Sequence, residues 1–104
     1  MANKHRGEVS INLDKERTLR LTTNSAVELE KELGFSVTKI NENTIGFTVI
    51  RAIIWAAIRS DNKDLTIEEV GNLMDHGDFN DVATKAMEAF KLVFQKGSTQ
   101  TGKS

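Results

Sequence analysis

The sequence predicts an α+β fold, an N-terminal β-hairpin packed on a bundle of about four α-helices. Three observations predict it. Two runs near the start alternate apolar and polar residues at period two. The segment 45–58 is apolar almost all round and too long for an ordinary strand. Capping residues and glycines divide the remainder into short amphipathic helices. The expected organisation is a single globular domain over 1–96 and a disordered tail over 97–104.

The hairpin comes first. In EVSINL (8–13), Val9, Ile11 and Leu13 fall on one face and Glu8, Ser10 and Asn12 on the other. TLRLT (18–22) repeats the alternation with Leu19 and Leu21. The polar DKER (14–17) between them can turn the chain, which makes the pair a hairpin. Two strands alone are marginal in water, so their apolar face must lie on other elements.

Thr23, Asn24 and Ser25 offer N-caps for a helix over about 25–33, with Ala26, Leu29 and Leu33 along one stripe. Gly34 stands where a helix end wants a left-handed residue. In the ambiguous stretch 35–43, Phe35, Val37 and Ile40 are expected to reach the core. Asn43 or Thr44 can cap a helix over about 45–60. Its many isoleucines would suit a strand, but its length and Ala52, Ala56 and Ala57 favour a helix, interrupted by Arg51. Such a helix belongs at the centre, with other elements on several sides. Thr66 and Glu69 form a capping box for a helix over 67–75, whose stripe is Ile67, Val70, Leu73 and Met74. Gly77 ends it. Asp78 caps a last helix over about 79–95, with Val82, Ala86, Phe90, Val93 and Phe94 inward. The chain has no proline to interrupt these helices.

Composition narrows the function classes. The 104 residues carry 14 Lys and Arg against 15 Asp and Glu, a formal net charge of −1. A dedicated nucleic-acid binder needs a clear basic excess. There is no cysteine, so disulfides and thiolate metal sites are excluded. The start, MANKHRGEVS, lacks the apolar stretch of a secretory signal. The most apolar run is shorter than the ~20 residues of a membrane span. The expected setting is the cytosol, with neither nucleic acid nor membrane as a partner.

Several motifs invite a chemical reading. GSTQTGKS (97–104) matches every fixed position of a phosphate-binding P-loop, through Gly97, Gly102, Lys103 and Ser104. That loop works between a buried strand and a helix, and here a helical pattern precedes it and nothing follows Ser104. A polar tail is the expected reading. His76, Asp75 and Asp78 could approach a metal, but their spacing equally describes a capped turn between helices. His5 sits in a basic, exposed start. Glu28, Glu30 and Glu32 alternate around a helix, so they do not converge as an acid–base couple and are expected to form a solvated face. Trp55, among apolar neighbours, is expected in the core. The pair 67–75 and 79–95 has helix-turn-helix proportions, which keeps a small DNA-binding regulator as the alternative function. Its second helix would present Asn80, Asp81, Thr84, Lys85 and Glu88, with two acids and one base, a poor face for DNA.

Residues 6–34, RGEVSINLDKERTLRLTTNSAVELEKELG, and 53–74, IIWAAIRSDNKDLTIEEVGNLM, carry a resemblance. An alternating strand, a Leu-Arg strand and a helix ending in Leu-Glu-x-x-Leu-Gly stand here as Leu19, Arg20, Leu29, Glu30, Leu33 and Gly34. The later Leu-Thr-x-Glu-Glu-Val-Gly stands as Leu65, Thr66, Glu68, Glu69, Val70 and Gly71. In these features the chain resembles the small tail assembly chaperones of tailed phages and gene transfer agents. The DKER turn lacks the glycine common there.

The resemblance implies a non-enzymatic protein in the cytoplasm of a bacterial host, without cofactor. Its partners would be the tape-measure protein, which it keeps soluble, and the tail-tube protein, which it recruits. In many phages a frameshift near the end of this reading frame adds a longer product. Candidate partner-binding residues are Phe35, Val37, Phe79, Phe90 and Phe94, which could form an apolar groove for a helix, and Arg51, which could reach a partner protein. Exposed apolar side chains would also favour a homo-oligomer.

Overall fold

A computed structural model describes residues 7–41, 43–60 and 62–102, with side chains described through Val93. The fold is α+β: a two-stranded antiparallel hairpin followed by four α-helices. Strand β1 (Glu8–Asn12) pairs with β2 (Glu16–Arg20) in the register Val9 with Leu19 and Ile11 with Arg17. The turn is therefore Leu13, Asp14 and Lys15, one residue earlier than the polarity of DKER suggests. Arg17 belongs to β2, and its guanidinium grips Asp14 through Nε at 2.8 Å and Nη2 at 2.9 Å. That grip holds the Asp14 carboxyl down to about 2, with the hydrogen bond from Arg17 the largest cause. Val9, Ile11, Leu13, Leu19 and Leu21 are all buried, which is what the period-two pattern requires of one face.

Helix α1 (Thr23–Leu33) begins earlier than 25 because Thr22 is its N-cap, with its hydroxyl accepting from the Ser25 amide at 3.1 Å. It ends at Gly34, which takes the left-handed conformation with φ of 81°. The ambiguous stretch after it holds a short 3-10 turn, Val37–Lys39, that lowers Val37 and Ile40 into the core.

Helix α2 (Phe47–Ile58) starts two residues later than expected. Neither Asn43 nor Thr44 caps it; Gly46 stands at the N-cap with no side-chain bond. Thr44 instead closes its own turn, accepting from the Asn41 amide at 2.8 Å and bonding back to the Lys39 carbonyl at 3.1 Å. The centre of the fold is α2, as its all-round apolar character predicts. It packs on α1, α3, α4 and β2, and Ile50, Ile53, Ile54, Ala57 and Ile58 are fully buried. Trp55 is only half-buried: its indole donates to the Leu65 carbonyl at 3.1 Å and Arg59 lies over its ring. Arg59 also reaches Glu28 at 3.6 Å.

Helix α3 (Ile67–Met74) has both halves of its capping box. The Thr66 hydroxyl accepts from the Glu69 amide at 3.1 Å, and the Glu69 carboxylate accepts from the Thr66 amide at 2.9 Å. Helix α4 (Phe79–Gly102) follows, opened by Asp78 accepting from the Asn80 amide at 3.0 Å. Val82, Ala86, Ala89 and Phe90 bury its inward stripe against β1 and α2. Its helical backbone continues beyond the expected end near 95. Gly97–Gly102 thus lies within a helix and not between a strand and a helix, and Lys103 and Ser104 fall outside the described residues.

Gly77 has a different role from a left-handed helix stop. The only glycines with positive φ among the described residues are Gly7 and Gly34. A Cβ on Gly77 would lie 3.1 Å from the Asn12 carbonyl oxygen and 3.2 Å from Val82. The α3–α4 turn is pressed against the end of β1, and the absent side chain permits the approach.

Candidate docking cleft

The interior is sealed by apolar side chains, and no polar or charged residue is buried in it among the described residues. Chemistry must therefore happen at the surface, where the largest apolar anomaly is Phe47. Phe47 is 72% exposed, and the other large exposed hydrophobic among the described residues is Val27 at 44%. As the first residue of α2, Phe47 lies just before the helix enters the core. Phe79, the first residue of α4, meets it with ring centroids 4.4 Å apart and planes tilted by 40°. Such a tilted pair is a favourable aromatic geometry.

The two rings help line a cleft of about 390 Å³, with Thr48, Arg51, Gly71, Met74, Asp75 and Gly77. Three elements build it. One turn of α2 places Phe47 and Arg51 on the same face at i and i+4. Helix α3 supplies Gly71 and Met74, and the Gly77 turn swings Phe79 back towards Phe47. A shallower hollow, lined by Arg51, Glu68, Gly71, Asn72 and Asp75, continues along α3.

Arg51 is shared by both hollows. Its stem crosses α3 at Gly71, where an added Cβ would come within 3.2 Å of Arg51 Cδ. Its Nε is buried and has no hydrogen-bond partner. Among the described residues no ion pair engages it, although the exposed Asp75 and Glu68 line the same hollows. Arg51 is therefore neither the partner of a buried carboxylate nor an arginine whose whole head reaches water.

The six sequence-chosen residues separate on this geometry. Arg51 and Phe79 come together in the cleft. Val37 and Phe90 are each 8% exposed and lie in the core, because the 3-10 turn and the inward stripe of α4 direct them there. Phe35 is half-buried and packs on the same core. The Phe94 side chain lies outside the described residues, as does His5. Phe47 was hidden from sequence reasoning. In a helix apolar all round, periodicity gives no means of telling an exposed first-turn ring from a buried one. The available signal was its i, i+4 relation to Arg51, the interruption in that helix.

The other candidates resolve locally. Glu30 is not a solvated surface acid: its carboxylate accepts from the Val37 amide at 2.8 Å and ties α1 to the 3-10 turn. His76, Asp75 and Asp78 are all exposed. Among the described residues no three or more His, Cys, Asp or Glu side chains converge as metal ligands. No helix among the described residues is long and apolar enough to cross a membrane. No protein-family model, curated protein or solved structure matches the chain.

Proposed function

We propose that this chain is a tail assembly chaperone of a tailed phage or prophage, a non-enzymatic protein of the host cytoplasm. It binds helical segments of the tape-measure protein, keeps them soluble and recruits tail-tube subunits. The observation that carries the reading is the aromatic pair Phe47 and Phe79, which lines an open cleft on a fold whose core is apolar. A large exposed ring beside an open apolar-lined cleft suits docking of a partner. Met74 in the wall adds an unbranched, adaptable surface of the kind that accepts varied apolar partners. A tape-measure protein exposes long amphipathic helices before the tube closes round it, and helix-in-groove contact is the mode such a cleft suits.

The residues behind the resemblance support the reading through their structural work. Leu29 fills the core, Gly34 ends α1, Thr66 and Glu69 box the start of α3, and Gly71 makes room for Arg51 beside the cleft.

The test is co-expression with a tape-measure fragment that is insoluble alone. The chaperone keeps the fragment in the soluble fraction and elutes with it, and Phe47→Ala releases it. A well-folded chain that leaves the fragment insoluble refutes the proposal. A DNA-binding regulator would instead show duplex binding that weakens steeply with salt.

A further inference from the structure

Arg51 gives the cleft a chemical preference that an apolar groove alone would lack. It is the one cation among the lining residues. Its Nε is buried and has no acceptor within the protein, so the fold holds an N–H donor that none of its own groups satisfies. Asp75 lines the cleft and Glu68 the adjoining hollow; both are exposed and in no ion pair with Arg51. On the α2 side, Phe47 and Thr48 line the cleft together with Arg51. A carboxylate arriving there could draw the head group round and take Nε and an Nη together, the fork geometry in which arginine holds carboxylates most tightly. Phe47 lies one helical turn from Arg51, so an apolar side chain one turn from that carboxylate would meet the ring.

We infer that the cleft recognises a helix of another protein bearing an Asp or Glu three or four residues from a large apolar side chain, with Arg51 reading the carboxylate and Phe47 with Phe79 the apolar neighbour. The inference rests on the docking reading above and adds the chemistry of the segment that docks.

The test is a selection from displayed helical peptides randomised along one face, with the folded full chain as bait. The wild-type chain enriches peptides with an acid three or four positions from a large apolar residue. Arg51→Glu reverses the enrichment to Lys and Arg. Arg51→Met keeps the stem beside Gly71 and loses the charge preference, and a recovered acidic peptide binds it roughly ten- to a hundredfold more weakly. Circular dichroism establishes that each bait is folded, and Arg51→Lys stands in for any variant that is not.

Four results overturn the inference: no peptide recovered, no charge preference, a preference for cationic peptides, or acid enrichment that survives Arg51→Met. A fifth is sedimentation equilibrium showing a dimer that Phe47→Ala dissolves, which makes a second copy the occupant. The outcome separates from that of the co-expression test. Solubilised tape-measure fragment without acid enrichment leaves the chaperone reading standing and removes this one. Acid enrichment without solubilisation does the reverse.

Discussion

Replacing Phe47 by alanine should cost little stability, because the residue is 72% exposed and so only about 28% covered (100 − 72). Complete burial of a phenylalanine contributes about 1.5–3 kcal/mol, so that covered fraction corresponds to roughly 0.4–0.8 kcal/mol. The tilted contact with Phe79 adds about 0.5 kcal/mol, the lower end for aromatic pairs, since one ring faces water. The sum is about 1 kcal/mol, equivalent to a fall in Tm of roughly 4–8 °C in a domain of this size. Ile54→Ala, at a fully buried position of the same helix, should cost about 2–5 kcal/mol. Urea denaturation followed by far-UV circular dichroism measures both, and the denaturant slope should be unchanged for Phe47→Ala. A loss of 3 kcal/mol or more for Phe47→Ala would mean that the ring is covered in solution. The cleft would then be closed, and the docking reasoning built on it would fail.

Further expectations concern the elements that hold the cleft open. Gly77→Ala drives a methyl against the Asn12 carbonyl and Val82, and should lower the urea midpoint by the equivalent of about 1–3 kcal/mol. Thr66→Ala removes the hydroxyl half of the capping box and should cost about 1 kcal/mol by the same measurement. The Asp14 carboxyl, held down to about 2 by Arg17, binds its proton less readily folded than unfolded. The contribution of this pair is therefore present above about pH 3.8 and is lost as pH falls towards 2. A carboxyl-carbon NMR titration should place the Asp14 midpoint below the ordinary aspartate range, and Arg17→Met should return it to that range. Gly71→Ala favours helix but crowds the Arg51 stem at 3.2 Å. Calorimetric titration with a selected acidic peptide should show weakened binding while the thermal transition stays within a few degrees.

Much of this architecture was legible because local signals and burial agree. The alternation from Val9 to Leu13 and the isoleucines of α2 both specify a face, or the lack of one, without knowledge of any neighbour. The Thr66–Glu69 box and Gly34 mark helix ends through bonds made within a few residues. What escaped was decided at longer range. Thr44 looks like a cap, but its hydroxyl is taken by Asn41 and Lys39, so α2 waits until Phe47. Glu30 reads as a surface acid until the chain returns to bring the Val37 amide to it. Gly77 reads as a helix stop until β1 is seen against it. Within the cleft, Arg51 and Phe79 could be chosen from sequence, whereas the exposure of Phe47 depends on where α4 begins.

The hairpin rests on partners far apart in the chain: β2 lies on α2, and β1 lies on α4. During synthesis the ribbon emerges before the helices that cover it, and its β1 half has to wait for α4. A nascent chain halted before α4 would present Val9 and Ile11 to the crowded interior of the cell. Closure of the β1 half thus waits for the residues of α4, and long-separation pairing of this kind slows folding. For that interval the protein would itself need protection by the ribosome or a holdase.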